Sequence, residues 1–137
     1  MPLVLVRHAS AGDRDNWVGD DRDRPLDERG RRQALELVDR LASFGIEEIH
    51  TSPYLRCVQT VEPLAAARDL AFRLRGELSE EWQARDGEAL LRELAVADRD
   101  VVVCGHGGLE QTLVDPPKWR KGSAFVVDPG LRVVAEL

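Results

Sequence analysis

Two histidines stand in similar surroundings at distant points of the sequence. Arg7 and His8 directly follow the apolar run LVLV, and His106 follows VVVCG and precedes two glycines. Both apolar runs have the β-branched composition typical of a buried strand. Charged and titratable side chains are costly to bury without partners, so they seldom end such a strand without a function. The pattern indicates that both imidazoles are delivered to a functional edge of the fold.

Two neighbouring imidazoles can act as metal ligands, as a general-base pair, or as a nucleophile with a helper. A metal site favours a third His, Cys or carboxylate and no adjacent cation, whereas Arg7 directly precedes His8. Arginine instead donates two parallel hydrogen bonds to a phosphate, and its charge favours the neutral form of a nearby imidazole. A neutral imidazole beside an anchored phosphoryl group is a nucleophile in position. These residues therefore point to phosphoryl chemistry at His8.

The elements that must position these residues alternate between strands and helices. Right-handed crossovers then give a largely parallel sheet with helices on both faces, a three-layer α/β/α sandwich. Ligands bind such sheets beyond the carboxyl ends of the strands, so the two histidines lie close together if their strands are neighbours. The expected elements, in chain order, are a strand at 3–6, a helix capped by Asp27 and ended by Gly45, a strand at 46–50, a helix capped by Ser52 that Pro63 kinks or restarts, a short strand at 70–74, a helix at 88–97, and a strand at 101–104.

The remaining segments are expected to be polar connections and a terminal hairpin. Residues 13–24 alternate acidic and basic side chains and predict a solvated connection or a mobile flap. The stretch GELSEEWQARDG, residues 76–87, is interpreted as a polar stretch rather than an element. Residues 123–127 and 131–136 flank DPG, which suits a tight turn, so the chain is expected to close with a hairpin.

Composition limits the classes of protein to consider. The chain has 137 residues, 43% hydrophobic and 32% charged, which suits one soluble α/β domain spanning residues 1–137. No segment approaches the roughly 20 apolar residues that span a bilayer, and the first apolar run is too short for a signal peptide, so we expect a cytoplasmic protein with no membrane partner. A formal charge of −6 argues against nucleic acid as a partner. Any anion site must therefore be local.

The two cysteines fit a reducing compartment. Cys57 and Cys104 could pair on number alone, but the chain lacks the cysteine-dense pattern of a disulfide scaffold, so two buried thiols are the preferred interpretation. Neither belongs to a CxxC motif, which argues against a zinc site.

Four segments in order resemble the histidine phosphatase superfamily, the group that includes phosphoglycerate mutases. LVLVRHA resembles the RHG or RHA signature, RPLDERGRRQA the PLTxxGxxQA helix start, TSPYLRCVQT the SPxxRxxQT motif, and VVVCGHGG the strand with the second histidine. The four matches cover about residues 3–110. The resemblance implies a phosphoglycerate mutase-like fold, with Ala9 in place of the commoner glycine.

The resemblance also implies a role for each matching residue. His8 would accept the phosphoryl group as a transient phosphohistidine, Arg7 and Arg56 would hold its oxygens, and His106 would join them. The family's general acid lies in an LxE loop, here LSE, which selects Glu80, with Glu81 as the rival. No metal and no cofactor is required.

The short chain is most similar to the compact SixA-type phosphohistidine phosphatases, and it also resembles the histidine-phosphatase domain of some MutT-type Nudix proteins. The first likeness implies a phosphatase acting on a phosphohistidine protein or a small phosphate ester, and the second implies nucleotide or polyphosphate-bearing substrates. A non-catalytic phosphate-binding regulatory module and a mutase are further alternatives. The oligomeric state stays open.

Several other residues have functional and structural interpretations. Lys118, Arg120 and Lys121, around Trp119, form the compact basic cluster of the sequence, which is either a solvated face or a guide for a phosphate tail. His50 is interpreted as a structural or surface residue rather than a third catalytic histidine. The remaining aromatic candidates for the rim of the site are Trp17 and Trp82.

Overall fold

The computed structural model describes residues 2–137 and contains a six-stranded sheet in the order β3-β2-β4-β1-β5-β6. The pairings among β1 to β4 are parallel, and those of β1 with β5 and of β5 with β6 are antiparallel. The predicted terminal hairpin is therefore confirmed as β5 and β6. The strands are β1 (Leu3–Arg7), β2 (Ile46–Thr51), β3 (Phe72–Leu74), β4 (Asp100–Gly105), β5 (Ala124–Val127) and β6 (Val133–Glu136).

Helices cover both faces of this sheet because successive side chains of its central strands point into opposite cores. Val4 and Val6 pack into a core with helices α1 and α2, whereas Leu3 and Leu5 pack into a second core with α3. The predicted three-layer α/β/α sandwich with a mostly parallel sheet is confirmed. The helices are α1 (Glu28–Arg40), α2 (Leu55–Arg68) and α3 (Gln83–Ala95), and single 3₁₀ turns lie at Arg14–Asn16, Asp21–Asp23, Gly76–Leu78 and Leu109–Thr112.

The helix boundaries differ from the sequence predictions at three places. Helix α1 ends at Arg40 rather than at Gly45, because Leu41 is its C-cap and residues 41–43 form turns. Helix α2 begins after Tyr54 rather than at Ser52, and it continues through Pro63 without a restart. Helix α3 begins at Gln83, so the interpretation of residues 76–87 as a polar stretch without an element is wrong. The first turns of α3 bury Gln83 and Gly87 instead of large apolar side chains. The first turns of α3 therefore lack the large apolar residues at helical spacing from which a helix is predicted.

Two further sequence expectations concern cysteines and membranes. Cys57 and Cys104 are both free and buried, as the preferred interpretation held. Among residues 2–137, none of the helices has the length and apolar character needed to cross a bilayer.

The loop that follows β1 is fixed against the start of α1. Asp27 caps the helix by accepting a hydrogen bond from the Gly30 amide at 2.8 Å, and its second oxygen accepts from the Ser10 hydroxyl at 2.7 Å and the Gly12 amide at 2.9 Å. Gly30 lies so close to this loop that an added Cβ would overlap the carbonyl oxygen of Ser10. The helix start and the loop beside the first histidine therefore form one packed unit.

The Gly30→Ala substitution is expected to destabilise the protein by about 2 kcal/mol or more, because the new methyl group overlaps backbone atoms. Helix propensity alone would make the variant more stable, since Ala is favoured over Gly by about 1 kcal/mol in a helix interior. The expected change in the free energy of unfolding therefore has the opposite sign. Urea unfolding measures the change, and Gly76→Ala, where nothing lies within 4 Å of an added Cβ, is the control. A stabilised G30A protein would contradict this close approach.

Candidate active site

The two histidines meet because their strands are adjacent. Strands β1 and β4 pair in parallel with Arg7 opposite Gly105, and the His8 amide donates to the Gly105 carbonyl at 3.0 Å. One residue beyond this register, the rings of His8 and His106 lie with centroids 5.5 Å apart and planes inclined by 63°. The two imidazoles thus form a pair at the carboxyl ends of neighbouring parallel strands.

Hydrogen bonding fixes the tautomer of His8. Its Nδ1 lies 2.8 Å from the Ala9 carbonyl oxygen. A carbonyl oxygen only accepts, so in the neutral ring Nδ1 carries the proton and Nε2 keeps a free lone pair. The Ala9 amide in turn donates to the Thr60 hydroxyl at 2.9 Å, which anchors this peptide to helix α2.

The surroundings of His8 favour its neutral form. Burial of the ring is the largest cause that lowers the pKa of His8 from 6.5 to about 3, against a smaller opposing effect of the bond to Ala9. Electrostatic interactions of the protonated ring with the neighbouring His106, Arg56 and Arg7 lower the pKa of His8 further. At neutral pH, His8 therefore presents an unprotonated Nε2.

His106 is fully buried, and among the described residues only one of its two ring nitrogens has a hydrogen-bond partner. Its Nε2 lies 2.9 Å from the Ser52 hydroxyl oxygen, and its ring packs edge-on against Tyr54 at a centroid distance of 4.7 Å. Its Nδ1 has no hydrogen-bond partner among the described residues and lies 3.6 Å from a carboxylate oxygen of Glu80. The second imidazole thus turns Nδ1 toward Glu80.

Arg7 is braced from the segment that precedes β5. Its Nη1 donates to the Trp119 carbonyl at 2.8 Å. Gly107 packs against the guanidinium, since a Cβ there would lie 2.8 Å from Nη2. A side chain at position 107 would displace Arg7, which explains the glycine after His106.

Arg56 is also buried, and two elements supply its partners. It donates to the Asp21 carbonyl at 2.8 Å and to the Asp21 carboxylate at 3.1 Å. Its Nη2 also donates to Glu80 at 3.2 Å, and Arg14 donates to both oxygens of Glu80 at 3.0 and 2.9 Å. The Glu80 carboxylate is thereby held between the guanidiniums of Arg14 and Arg56.

The structure separates the two candidate acids. Glu80 lines the cleft beside His8 and contacts Arg14, Arg56 and His106. Glu81 is exposed, accepts a hydrogen bond from the Tyr54 hydroxyl, and does not line the cleft. The position of the carboxylate favours Glu80 over its rival.

These groups surround a cleft of about 420 Å³, which we call the catalytic cleft. Four cations line it against two carboxylates, so its walls are positive although the protein carries a formal charge of −6. Such a concentration of cations favours an anionic ligand. The lining residues are Arg7, His8, Gly12, Asp13, Arg14, Arg24, Glu80, Gly107 and Lys121.

Sequence reasoning missed some of these residues. The segment 13–24, expected to be a solvated connection or mobile flap, supplies Arg14 and Arg24 to the catalytic cleft and Asp21 to Arg56. Alternating charges look the same whether they face solvent or a site, so the sequence carried no distinguishing signal. Gln83 was also missed, although it accepts from the His106 amide at 3.2 Å and donates to the Gly107 carbonyl at 3.0 Å.

The remaining candidates lie outside the catalytic cleft. His50 is buried, with Nε2 2.9 Å from Glu48 and Nδ1 3.3 Å from Arg75, which supports its structural interpretation and not a surface one. Trp17 lines an adjacent pocket, and Trp82 is exposed under the guanidinium of Arg85. Within residues 2–137, no group of three or more His, Cys, Asp or Glu side chains is arranged to hold a metal ion.

A neutral imidazole with a free nitrogen, a second imidazole and several guanidiniums at one sheet edge define a phosphate-handling protein of the α/β class. The chain belongs to the histidine phosphatase superfamily, branch 1, whose family model matches residues 3–91.

Known proteins are similar to this chain in sequence and in fold. Over 116 residues, or 82% of this chain, it is 40% identical to an 8-oxo-(d)GTP phosphatase of Mycolicibacterium smegmatis, of which the match covers 36%. It is 44% identical over 69 residues, or 49% of this chain, to an uncharacterised protein of Picosynechococcus, of which the match covers 41%. The chain thus matches well under half the length of these curated relatives.

The fold is that of solved SixA structures. The protein histidine phosphatase SixA complexed with tungstate superposes with a TM-score of 0.82 at 22% identity, over 100% of this chain and 96% of the other. A putative phosphohistidine phosphatase SixA from Agrobacterium tumefaciens superposes with a TM-score of 0.74 at 24% identity, over 99% and 96% of the two chains.

The low pKa of His8 predicts a specific acid sensitivity. The unfolded protein binds a proton at His8 below pH 6.5, whereas the folded protein does so only near pH 3, so the stability contributed by the neutral ring is lost as pH falls through this window. Between pH 7.5 and pH 5, this difference amounts to about 2 kcal/mol. Urea unfolding of wild type and His8→Gln should therefore show a shallower pH dependence in the variant. Identical slopes would contradict the assigned state of His8.

Proposed function

We propose that the protein is a metal-independent phosphatase that forms a phosphohistidine intermediate on His8. One observation carries the proposal: the unprotonated Nε2 of His8 belongs to a ring 5.5 Å from that of His106, in a cleft lined by four cations. Positioning and charge stabilisation supply most of the catalysis in phosphoryl transfer, and this arrangement offers both. The membership in the histidine phosphatase superfamily supports the same conclusion.

In the first step, His8 Nε2 attacks phosphorus and forms a P–N bond. The bond from phosphorus to the leaving group breaks, and its electron pair goes to the leaving atom, which takes a proton from the Glu80 carboxylic acid. Arg7, Arg56 and the Nδ1–H of His106 hold the phosphoryl oxygens. The last two already converge on one oxygen of Glu80, at 3.2 and 3.6 Å. A bound phosphoryl group is negatively charged and competes with Glu80 for these contacts.

In the second step, water hydrolyses the intermediate. The Glu80 carboxylate, now deprotonated, accepts a proton from the water as its oxygen attacks phosphorus. The P–N bond breaks, and its electron pair returns to His8 Nε2, which restores the neutral imidazole and releases phosphate. The hydrogen bond from Nδ1 to the Ala9 carbonyl keeps the ring oriented through both steps.

The substrate in this proposal is a phosphohistidine protein or a small phosphorylated molecule, in the cytoplasm. The likeness to SixA structures supports this choice through the fold. The similarity to an 8-oxo-(d)GTP phosphatase favours a second candidate, a phosphatase acting on nucleotides or polyphosphate-bearing compounds. A non-catalytic binding module has less support, since binding phosphate needs no carboxylate between two arginines.

The His8→Asn variant is expected to lose hydrolysis of p-nitrophenyl phosphate by at least 10³-fold in kcat, with EDTA present throughout, because it lacks the nucleophile. Rapid mixing of wild type should label the protein with one phosphoryl group per chain, and the variant should carry none. The matched control is His50→Asn, which removes a histidine outside the catalytic cleft. Turnover unaffected by the change at His8 would defeat the proposal.

Glu80→Gln tests the proton donor through the leaving group. Hydrolysis of an alkyl phosphate, whose alcohol leaves poorly without a proton, should fall roughly 10²- to 10⁴-fold, whereas p-nitrophenyl phosphate should be affected much less. Glu81→Gln is the matched control and should change both rates by less than about threefold. An equal loss on both substrates in E80Q would mean that Glu80 positions other groups instead of donating a proton.

A further inference from the structure

A second cavity of about 360 Å³ adjoins the catalytic cleft, and we call it the basic groove. Arg7 and Lys121 line both cavities. Five of the eight side chains of the groove are cationic and none is a carboxylate. The lining residues are Arg7, Ser10, Arg29, Gln33, Lys118, Trp119, Arg120 and Lys121.

The backbone of the basic groove is anchored to the strand that carries His8. Trp119 is buried, its indole N–H donates to the Ser123 carbonyl at 3.2 Å, and its carbonyl accepts from Arg7. The Gly122 amide lies 3.1 Å from the carbonyl oxygens of both Arg7 and His8. The three basic side chains at 118, 120 and 121 are thus carried on a segment whose position is fixed relative to the nucleophile.

Three cations of the basic groove have no salt-bridge partner among the described residues, unlike the cations around Glu80. Arg14 and Arg56 contact carboxylates, whereas no carboxylate among the described residues lies within 4.0 Å of the cationic atoms of Arg29, Lys118 or Arg120. Burial lowers the pKa of Lys121, and the neighbouring Arg7 and Arg24 lower it further, against an opposing effect of Asp27. Grouping like charges costs stability, so their concentration in an acidic protein points to an anionic ligand.

The geometry points to a second anion subsite: we propose that the basic groove binds an internal phosphoryl group of the substrate while the terminal group lies at His8. Of the substrate classes named under the proposed function, this subsite favours the second candidate: phosphate chains, either nucleoside diphosphates and triphosphates or inorganic polyphosphate. This inference rests on the proposed function for the reaction, and it goes beyond it by assigning the recognition of the leaving group to Arg29, Lys118, Arg120 and Lys121.

A phosphate chain fits the two adjoining cavities better than a single phosphate does. Successive phosphoryl groups are joined by one bridging oxygen, so neighbouring groups can occupy the two cavities that Arg7 and Lys121 both line. The transferred group then leaves from an anionic phosphate that the groove stabilises, which helps most where charge develops on the leaving oxygen. A monoester of a neutral alcohol gains none of this stabilisation.

The test combines three substitutions in the basic groove, R29Q, K118Q and R120Q, none of which lines the catalytic cleft. We compare kcat/KM for inorganic tripolyphosphate, a nucleoside triphosphate and p-nitrophenyl phosphate. The ratio of either chain phosphate to the monoester should fall at least tenfold. The control carries R73Q, R92Q and R132Q, three exposed arginines outside both cavities, which lower the net charge equally, and its ratio should change less than twofold.

Calorimetric binding of tripolyphosphate separates this inference from the proposed reaction. Wild type should bind tripolyphosphate at least tenfold more tightly than the groove variant does, whether or not any substrate is hydrolysed. Equal binding in the two proteins overturns the inference and leaves the phosphatase proposal standing. If wild type binds tripolyphosphate more tightly as expected but hydrolyses none of the substrates, the second anion subsite is supported and the phosphatase proposal is contradicted. Equal effects of the groove and control variants, or a comparable loss on a phosphohistidine peptide, would also overturn it.

Discussion

The parallel pairing of β1 with β4 is the constraint on which the site depends. Their register places Arg7 opposite Gly105 and so brings two histidines, 98 positions apart in the sequence, to the same sheet edge. Both strands are buried on both faces, which fixes the register, because a slip by one residue would reverse which side chains enter each core. The positions of the histidines are thus a by-product of ordinary core packing.

Around this pair, burial and positive charge act in the same direction on His8. Both oppose protonation, and the bond from Nδ1 to a carbonyl leaves the other nitrogen free. His106 is held by a different device, a hydroxyl on one nitrogen and an aromatic ring at its edge. The two imidazoles therefore have different environments, which suits the different roles proposed for them.

The sequence predicted the sheet, the two strands that end at the histidines and the order of most elements, because alternating or continuous apolar runs reflect burial directly. That these two strands are neighbours was a condition in the sequence analysis, and the structure meets it. It also brought Arg56 and Glu80 into consideration through the family resemblance, and the structure places both beside the histidines. The start of α3 and the roles of segment 13–24 could not be predicted in this way. Both depend on polar side chains, such as Gln83 and Arg14, whose partners lie far away in sequence.

The central position of β1 has a consequence for how the protein is made. This strand is synthesised before both of its partners, β4 and β5, which end at Gly105 and Val127. The LVLV run therefore stays apolar and unpaired until β4 and β5 have left the ribosome, and such long-range pairing is slow. The sheet edge that carries the two histidines cannot be complete before β5 is made, and the period of exposure to aggregation coincides with that delay.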